Sequence, residues 1–312
     1  MDVIINSCKT EEDSIKICRE SDFIITVVRL YPFGPEVLKK SVKCRFIQTL
    51  GIDHSAISKQ VATEQGICVM NNAGFVKEEL SDHAMALLLA CARNIVDLNS
   101  KVKSGELTVS ASPEYLKKMT MLRGKTLGII GFGHSGKAMV PKAKAFGMEI
   151  ITYSPHVDAR IAQEFGVKRV SLEELFENSD FISLHAILND NTKNMIRIEH
   201  FKKMKPSAYI INIARGALIK ESDLYIALKE GLIAGAGLDV TDPDPPTPDC
   251  PLLRFNNVIL TGHQAGNSPE SANEMWETPL KQVSAVLQGQ WPINIVNPEV
   301  KGIFLKKWGS VS

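Results

Sequence analysis

Three residues with chemically useful side chains, Arg215, Asp244 and His263, each follow an apolar run that is typical of a β-strand. In open parallel sheets, ligands bind at the carboxyl ends of the strands, so loops that are far apart in the chain can meet in one crevice. The sequence therefore predicts that a guanidinium, a carboxyl and an imidazole converge on one site.

This set of side chains suits the interconversion of a ketone and an alcohol beside a carboxylate. The fork of Arg215 can hold a carboxylate in two contacts and polarise the neighbouring carbonyl. The imidazole of His263 can protonate the carbonyl oxygen when a hydride reaches the carbon, and an acidic neighbour favours the charged imidazole. Taken singly, each residue also fits a plainer role: Arg215 at the surface near a helix start, His263 as a satisfied core histidine, and Asp244 within the proline-rich loop 242–251.

A glycine pattern earlier in the chain predicts a binding site for a dinucleotide. Residues 125–136 read KTLGIIGFGHSG, an apolar strand that runs into Gly131, Gly133 and Gly136 before a helix and a second strand. Gly131 permits the tight turn, Gly133 lets the backbone approach a pyrophosphate, and Gly136 lets helix and strand pack closely. The helix N-terminus adds amide donors for the anion. The alternative is a tight strand-to-helix connection without a ligand.

The tip of the second strand bears on the choice between NAD and NADP. An acidic residue is expected there, about 20 residues after the glycines, to bind the ribose hydroxyls, but Ser154 occupies the position. Losing the carboxylate removes repulsion against a 2′-phosphate, and His156 and Arg160 are candidate phosphate partners. Asp158 can equally take over the ribose contact. The cofactor is therefore NADP or NAD, with Ser154 favouring NADP slightly.

The elements that must position these residues form two α/β series. Predicted strands cover 3–5, 23–28, 45–48 and 67–70 in the first series, and 125–130, 148–153, 181–184, 209–213, 233–238 and 258–261 in the second. Strands that alternate with helices predict parallel sheets covered by helices. The second series predicts a doubly wound, Rossmann-type nucleotide-binding domain, and the first a smaller, flavodoxin-like α/β substrate domain.

At 312 residues, the chain exceeds what one hydrophobic core usually serves. We predict a substrate-binding domain over 1–98, completed by 285–312, and a dinucleotide-binding domain over 99–284. A helix over 81–98 is apolar almost all round in its first half, so it is expected to run between domains or through a subunit interface. Pro141 and Pro279 each predict a kink or an end in a helix, and Pro279 is expected to mark the return to the first domain.

Composition narrows the class of protein. Lys and Arg number 36 and Asp and Glu 35, a net charge of +1, so we expect no general surface for nucleic acid or anionic membrane. No basic start followed by an apolar stretch is present, and the longest apolar run, 84–92, is far shorter than the roughly 20 residues that span a bilayer. Six cysteines lie apart without zinc-ligand spacing. We expect a cytoplasmic protein with free thiols and no metal.

Ordered motifs along nearly the whole chain carry a family resemblance. They are TLGID at 49–53, NNAG at 71–74, SDH at 81–83, the glycine pattern, the three loops and VNPEV at 296–300. With these motifs the chain resembles the D-isomer-specific 2-hydroxyacid dehydrogenases, particularly the branch of glyoxylate/hydroxypyruvate reductases and phosphoglycerate dehydrogenases. The resemblance implies an NAD(P)-dependent enzyme that interconverts a small 2-keto acid and its D-2-hydroxy acid.

The resemblance also implies roles for single residues. Arg215 takes the position of the substrate-binding arginine, Asp244 that of the usual catalytic glutamate, and His263 that of the acid/base histidine; their joint occurrence in the family's order favours an active site over three separate plain roles. Backbone groups of Leu50 and Gly51 are implied on the substrate carboxylate. The implied cofactor contacts are His134 and Ser135 beside the pyrophosphate, Thr192, Ile213, Ala214, Asp239 at the nicotinamide amide, His263, Ala265 and Gly266. A homodimer through the helix from Ser81 is also implied.

Several departures from the family pattern bear on the substrate and the turnover. Asp244 is one methylene shorter than glutamate, so its contact with His263 is expected to be longer or water-bridged. Gln264 stands where an aliphatic residue is usual, and Leu107 where a tryptophan is frequent. The chain continues only briefly past Val300, so no appended regulatory domain is expected.

Two other functions remain open at this stage. Relatives of this fold oxidise phosphite or formate, and other relatives sense the nicotinamide pool and bind protein partners as corepressors. Failure to oxidise NADH or NADPH with any keto acid, together with tight cofactor binding, would favour the sensor. The sequence does not select the acid or the direction of the reaction in the cell.

Overall fold

A computed structural model describes residues 3–5, 8, 10–27, 33–54, 56–107, 113–116, 118–155 and 157–311. Its strands are β1 (Phe23–Thr26), β2 (Phe46–Thr49), β3 (Cys68–Met70), β4 (Thr126–Ile130), β5 (Glu149–Tyr153), β6 (Lys168–Arg169), β7 (Phe181–Leu184), β8 (Tyr209–Asn212), β9 (Gly235–Leu238) and β10 (Val258–Leu260).

Its α-helices are α1 (Glu11–Cys18), α2 (Pro35–Lys40), α3 (Lys59–Glu64), α4 (Lys77–Ala92), α5 (Ile95–Ser104), α6 (Pro113–Leu116), α7 (His134–Ala145), α8 (Ala159–Glu164), α9 (Leu172–Asn178), α10 (Ile198–Phe201), α11 (Glu221–Lys229), α12 (Pro269–Leu287) and α13 (Val300–Trp308). Short 3₁₀ helices cover Gly216–Leu218 and Pro251–Arg254. Among the described residues, no helix is long and apolar enough to cross a bilayer.

The chain divides into two compact units, of which the first joins Met1–Phe75 to Ser268–Ser312. Its sheet has the parallel order β1-β2-β3. The C-terminal segment is bonded to this sheet through Asn297, whose carboxamide accepts from the Val69 amide at 2.9 Å and donates to the Ile67 carbonyl at 3.0 Å. Phe304 packs on Phe46 with ring centroids 5.0 Å apart. C-terminal residues therefore complete the first sheet and its core.

The second unit, Val76–Asn267, contains a seven-stranded parallel sheet of order β10-β9-β8-β7-β4-β5-β6. Helices cover both faces, α4 and α7 on one and α9, α10 and α11 on the other. The order reverses between β4 and β7, which is where doubly wound sheets bind ligands. The predicted α/β, Rossmann-type fold is confirmed; the two-residue strand β6 was not predicted.

The unit boundaries differ from the predicted 98/99 and 284/285. Helix α4 belongs to the second unit because its apolar side chains pack on that sheet: a Cβ built on Gly237 of β9 would lie 3.1 Å from the Leu87 Cβ. Helix α12 belongs to the first unit, where the Gln282 amide donates to the Gln48 amide oxygen at 3.1 Å. The functional roles of the two units stay predictions.

The predicted limits of single helices and strands agree with the structure in some places and differ in others. Helix α12 begins as predicted, with the Ser268 hydroxyl accepting from the Ser271 amide at 2.8 Å. Helices α7 and α12 continue through Pro141 and Pro279, so neither proline ends its helix. The chain enters the first unit at Ser268, so the prediction that Pro279 marks this return is wrong. The predicted strand 3–5 is absent, since these residues are extensively exposed and lie outside any strand. The predicted helix 81–98 is broken at Asn94, whose φ of 50° separates α4 from α5.

Candidate active site

The three glycines of the 131–136 loop meet different spatial demands. Gly131 has a φ of 93°, and a Cβ there would lie 2.6 Å from the Ala186 nitrogen. A Cβ on Gly136 would lie 2.3 Å from the Gly131 oxygen, whereas a Cβ on Gly133 would meet nothing within 4 Å. Packing within the protein therefore requires Gly131 and Gly136. Gly133 faces open space instead.

The first turn of α7 fits an anionic group. Gly133 is its N-cap and makes no side-chain cap, so the amide groups of the first turn are not capped by a side chain. His134 is exposed and Ser135 partly buried. Open space above Gly133 and amide donors at a helix N-terminus match the demands of a pyrophosphate.

A buried histidine lies beneath this turn. His185 follows β7 and is 8% exposed. Its Nδ1 lies 3.0 Å from the Ser135 hydroxyl and its Nε2 lies 2.9 Å from the Ser183 hydroxyl. Burial lowers the pKa of His185 to about 4, so the imidazole is neutral near pH 7.

The segment after β5 holds the residues predicted to choose between NAD and NADP. Ser154 is largely buried at its start, and His156 lies outside the described residues. Arg160 pairs with Asp158, with Nη2 and Oδ2 2.7 Å apart, and this contact lowers the pKa of the Asp158 carboxyl. Arg169, which the sequence did not single out, donates to the Val157 carbonyl at 3.0 Å. Two guanidiniums thus accompany the segment.

His263 and Asp244 are in direct contact. The His263 Nδ1 lies 2.5 Å from an Asp244 carboxylate oxygen, and the two side chains are 35% and 26% exposed. The expected longer or water-bridged contact is therefore wrong. Within the described part of the chain, no group bonds the His263 Nε2, so this nitrogen is free to meet a substrate.

Buried Asp239 holds the turn that carries His263. One carboxylate oxygen accepts from the Thr261 hydroxyl at 2.6 Å and the Gln264 amide at 2.8 Å, and the other accepts from the Ala265 amide at 3.0 Å. The His263 amide donates to the Asp239 carbonyl at 2.6 Å. Both carboxylate oxygens are thus engaged within the turn, and the implied contact of Asp239 with the nicotinamide amide stays a prediction.

His83 on α4 extends this arrangement. Its Nε2 lies 2.9 Å from the Thr261 hydroxyl. Because that hydroxyl donates its proton to Asp239, it must accept from His83. The SDH motif therefore contributes a side chain to the support of the His263 turn.

Arg215 is connected to the Asp244 loop through backbone. A Cβ on Gly216 would lie 2.0 Å from the Thr241 oxygen, so the two loops touch at this point. Asn212 fixes the loop, accepting from the Ala214 amide at 3.0 Å and donating to the Arg215 carbonyl at 2.9 Å. The Arg215 guanidinium donates to the Ala214 carbonyl at 2.7 Å.

The remaining predicted residues are placed as follows. Ile213 is buried directly after β8, and Ala265 is buried and Gly266 partly buried after the His263 turn. Thr192, after β7, donates to the Ile187 carbonyl at 2.7 Å.

Leu50 and Gly51 belong to the first unit, where the Leu50 amide donates to the Thr26 carbonyl at 3.0 Å. The Gly51 amide has no acceptor within the described part of the chain.

Comparison with known proteins identifies the family. Residues 85–265 match the family described as "D-isomer specific 2-hydroxyacid dehydrogenase, NAD binding domain". The chain belongs to this family. It is therefore an oxidoreductase with a nicotinamide cofactor, as the resemblance implied. The matched range contains the glycine loop, Arg215, Asp244 and His263, whereas Leu50 and Gly51 lie before it.

Similar proteins include several named enzymes. A glyoxylate reductase of Korarchaeum cryptofilum (strain OPF8) is 39% identical over 269 residues, covering 86% of this chain and 81% of the relative. A D-lactate dehydrogenase from Aquifex aeolicus complexed with NAD and lactic acid is 28% identical with a TM-score of 0.77, covering 91% and 89%. An acyclic imino acid reductase in complex with NADPH and D-Arg is 29% identical with a TM-score of 0.80, covering 92% and 89%.

Sequence reasoning missed the supporting residues of this dehydrogenase site. His185 carried one usable signal, since it directly follows a strand of the predicted sheet. The engagement of Asp239 and Thr261 in the His263 turn carried none, because their hydrogen bonds join residues that are more than 20 positions apart.

Proposed function

We propose that this enzyme interconverts a small 2-keto acid and its D-2-hydroxy acid. The direct contact between His263 and Asp244 carries the proposal. Because Nδ1 makes this contact, the His263 Nε2 is left available as a proton donor to a substrate. The glyoxylate reductases among its relatives support a short keto acid as the substrate.

The proton relay follows from the contacts of the imidazole. The Asp244 carboxylate accepts from Nδ1, which fixes one proton on that nitrogen and sets the orientation of the ring. The second proton, on Nε2, passes to the carbonyl oxygen of the keto acid. When bound, the reduced nicotinamide supplies the hydride to the carbonyl carbon. Arg215 holds the substrate carboxylate and polarises the carbonyl. Oxidation of the hydroxy acid reverses these steps.

NADP(H) is the preferred cofactor within this proposal. Ser154 offers no carboxylate to repel a 2′-phosphate. The Asp158 carboxylate is paired with Arg160, which offsets its charge, and Arg169 adds a second positive charge nearby. Calorimetric titration with NADPH and NADH tests the preference. A markedly lower Kd for NADH would overturn it.

The function itself is tested with a panel of keto acids and both reduced cofactors. The panel contains glyoxylate, hydroxypyruvate, pyruvate, 2-ketobutyrate, phenylpyruvate and 3-phosphohydroxypyruvate. Turnover of at least one acid is expected, and each hydroxy acid formed should be D-configured except glycolate, the product of glyoxylate, which is achiral. Tight cofactor binding without turnover of any acid would replace the enzyme by a nicotinamide sensor.

His263→Ala is the decisive variant for the proton donor. We expect kcat to fall about 10²–10⁴-fold, the usual contribution of a general acid, while binding of the reduced cofactor is retained. The matched control is His200→Asn, which alters a histidine of α10 that bonds the Arg197 amide. Unchanged turnover by His263→Ala would refute the assignment.

A further inference from the structure

The imidazole of His185 occupies the point where the order of the sheet reverses. β4 runs into Gly131 and β7 into His185, and the two strands are neighbours. A Cβ on Gly131 would lie 2.6 Å from the His185 carbonyl carbon. This close approach leaves the His185 side chain directly beneath the first turn of α7, where it meets Ser135.

Ser135, His185 and Ser183 form a continuous chain of hydrogen bonds from the surface into the core. Ser183 is fully buried on β7, His185 is almost fully buried, and Ser135 is partly exposed. The separations are 2.9 Å from the Ser183 hydroxyl to Nε2 and 3.0 Å from Nδ1 to the Ser135 hydroxyl.

Ser183, at the buried end of this series of hydrogen bonds, determines which group donates in each of them. His185 is the partner of the Ser183 side chain within the described residues, and buried hydroxyls in folded proteins donate to an acceptor. Ser183 therefore donates to Nε2. A neutral imidazole has one donor and one acceptor, so Nδ1 carries the proton and donates to the Ser135 oxygen. The opposite direction leaves the buried Ser183 proton without an acceptor.

We propose that Ser183 and His185 are positioning residues that hold the Ser135 hydroxyl proton outward, so that it donates to an anionic oxygen of the cofactor's pyrophosphate. The inference rests on the proposed function, which supplies the dinucleotide. Ser135 lies in the uncapped first turn of α7, where the helix dipole already favours an anion. With its oxygen occupied by Nδ1–H, the hydroxyl acts towards the anion as a donor only.

A double-mutant cycle tests this assignment through cofactor binding. The Kd values of the unaltered protein, Ser135→Ala, Ser183→Ala and the double variant are measured by calorimetry with NADPH and with NADH. Ser135→Ala should raise Kd about tenfold or more, as for the loss of a hydrogen bond to a charged group. Ser183→Ala frees the imidazole to adopt either tautomer, so it should raise Kd about twofold or more.

The decisive comparison is the effect of Ser183→Ala in the two backgrounds. If Ser183 acts through Ser135, Ser183→Ala should not raise Kd any further in a protein that already carries Ser135→Ala. Ser179→Ala is the matched control: this serine is equally buried but bonds the Leu175 carbonyl at 2.6 Å, so its replacement should leave Kd unchanged. Equal effects of Ser183→Ala in both backgrounds, or an unchanged Kd for Ser135→Ala, would overturn the proposal.

The tautomer is a second readout that does not depend on the cofactor. Nitrogen-15 NMR of the imidazole should show the proton of His185 on Nδ1 in the unaltered protein and a mixture of tautomers in Ser183→Ala. A proton on Nε2 in the unaltered protein would overturn this inference and leave the proposed function unaffected. Failure of the unaltered protein to bind either dinucleotide would instead remove the proposed function, and the inference with it.

Discussion

Asp244 is one methylene shorter than glutamate, yet it contacts His263 directly because the backbone positions of the two residues bring their side chains together. His263 has a φ of 60°, a left-handed conformation that few residues other than glycine adopt. The bonds of Asp239 to the amides of Gln264 and Ala265 hold the turn in this conformation. The shorter acid is thus accommodated by a backbone that its own neighbours keep in place.

Asp244 variants separate the charge of this side chain from its length. In Asp244→Asn the shape is kept but the His263 imidazole loses its anionic partner, so we expect kcat to fall on the order of 10²-fold. Asp244→Glu restores the charge with one added methylene and should keep kcat within about tenfold of the unaltered enzyme. Steady-state kinetics with the best acid of the panel measure both. Equal kcat values for the Asn variant and the unaltered enzyme would show that the charge is not used.

At the residue level, the sequence predicts side chains at strand ends better than the groups that support them. Arg215 and His263 are indicated because each follows a recognisable apolar run. The supporting role of Asp239 is invisible, since it depends on which amides the turn presents to a buried carboxylate. The direction of the Ser135 proton likewise depends on Ser183, which is fully buried in the core.

The strand–turn–helix unit from β4 to α7 shows how three glycines divide one task. Two of them are required by contacts inside the protein, and the third, Gly133, borders open space. The same type of residue therefore serves packing at two positions and ligand access at one.

Alanine substitutions distinguish these two uses. Gly136→Ala forces a Cβ against the Gly131 oxygen, so we expect a loss of about 1–3 kcal/mol in unfolding free energy. Gly133→Ala should change that free energy by less than about 1 kcal/mol and yet raise the Kd for the reduced cofactor roughly tenfold. Urea denaturation and calorimetric titration measure the two effects.

Gly302→Ala provides the control for both measurements. This glycine lies on α13, and an added Cβ would meet nothing within 4 Å. Its replacement should leave cofactor affinity unchanged and stabilise the helix by up to about 1 kcal/mol. Unimpaired cofactor affinity in Gly133→Ala would argue against a pyrophosphate at this turn.

Helix α4 illustrates why the presence of an element is easier to predict than the unit to which it belongs. Its apolar composition predicts burial on several sides, and its packing against α7, β8 and β9 agrees with that. The sheet on which it packs is set by shape, since Gly237 on β9 leaves room for Leu87 and Cys91. Spacing along the chain contains no information on this choice, so the predicted boundary is displaced to the far end of the helix.

At the scale of the whole molecule, stability is coupled to protonation of the buried histidine. An unfolded chain binds a proton on His185 below its ordinary pKa of 6.5, whereas the folded protein excludes that proton down to about pH 4. Acidification through this window therefore favours the unfolded chain. His200, whose pKa burial also lowers, acts in the same direction. Asp223 has a lowered pKa, so its contribution is lost only below its ordinary value of 3.8.

The free energy of unfolding should consequently fall as the pH is lowered from 6.5 towards 4. A depression of the His185 pKa from 6.5 to about 4 corresponds to a loss on the order of 3 kcal/mol in the free energy of unfolding. Urea denaturation at a series of pH values measures the slope. His185→Asn keeps a donor for Ser135 but has no proton to gain, so the slope should be shallower in this variant, with the remainder arising from His200 and other groups. Identical slopes for the two proteins would mean that His185 takes up its proton in the folded state, and the neutral imidazole beneath Ser135 would have to be abandoned.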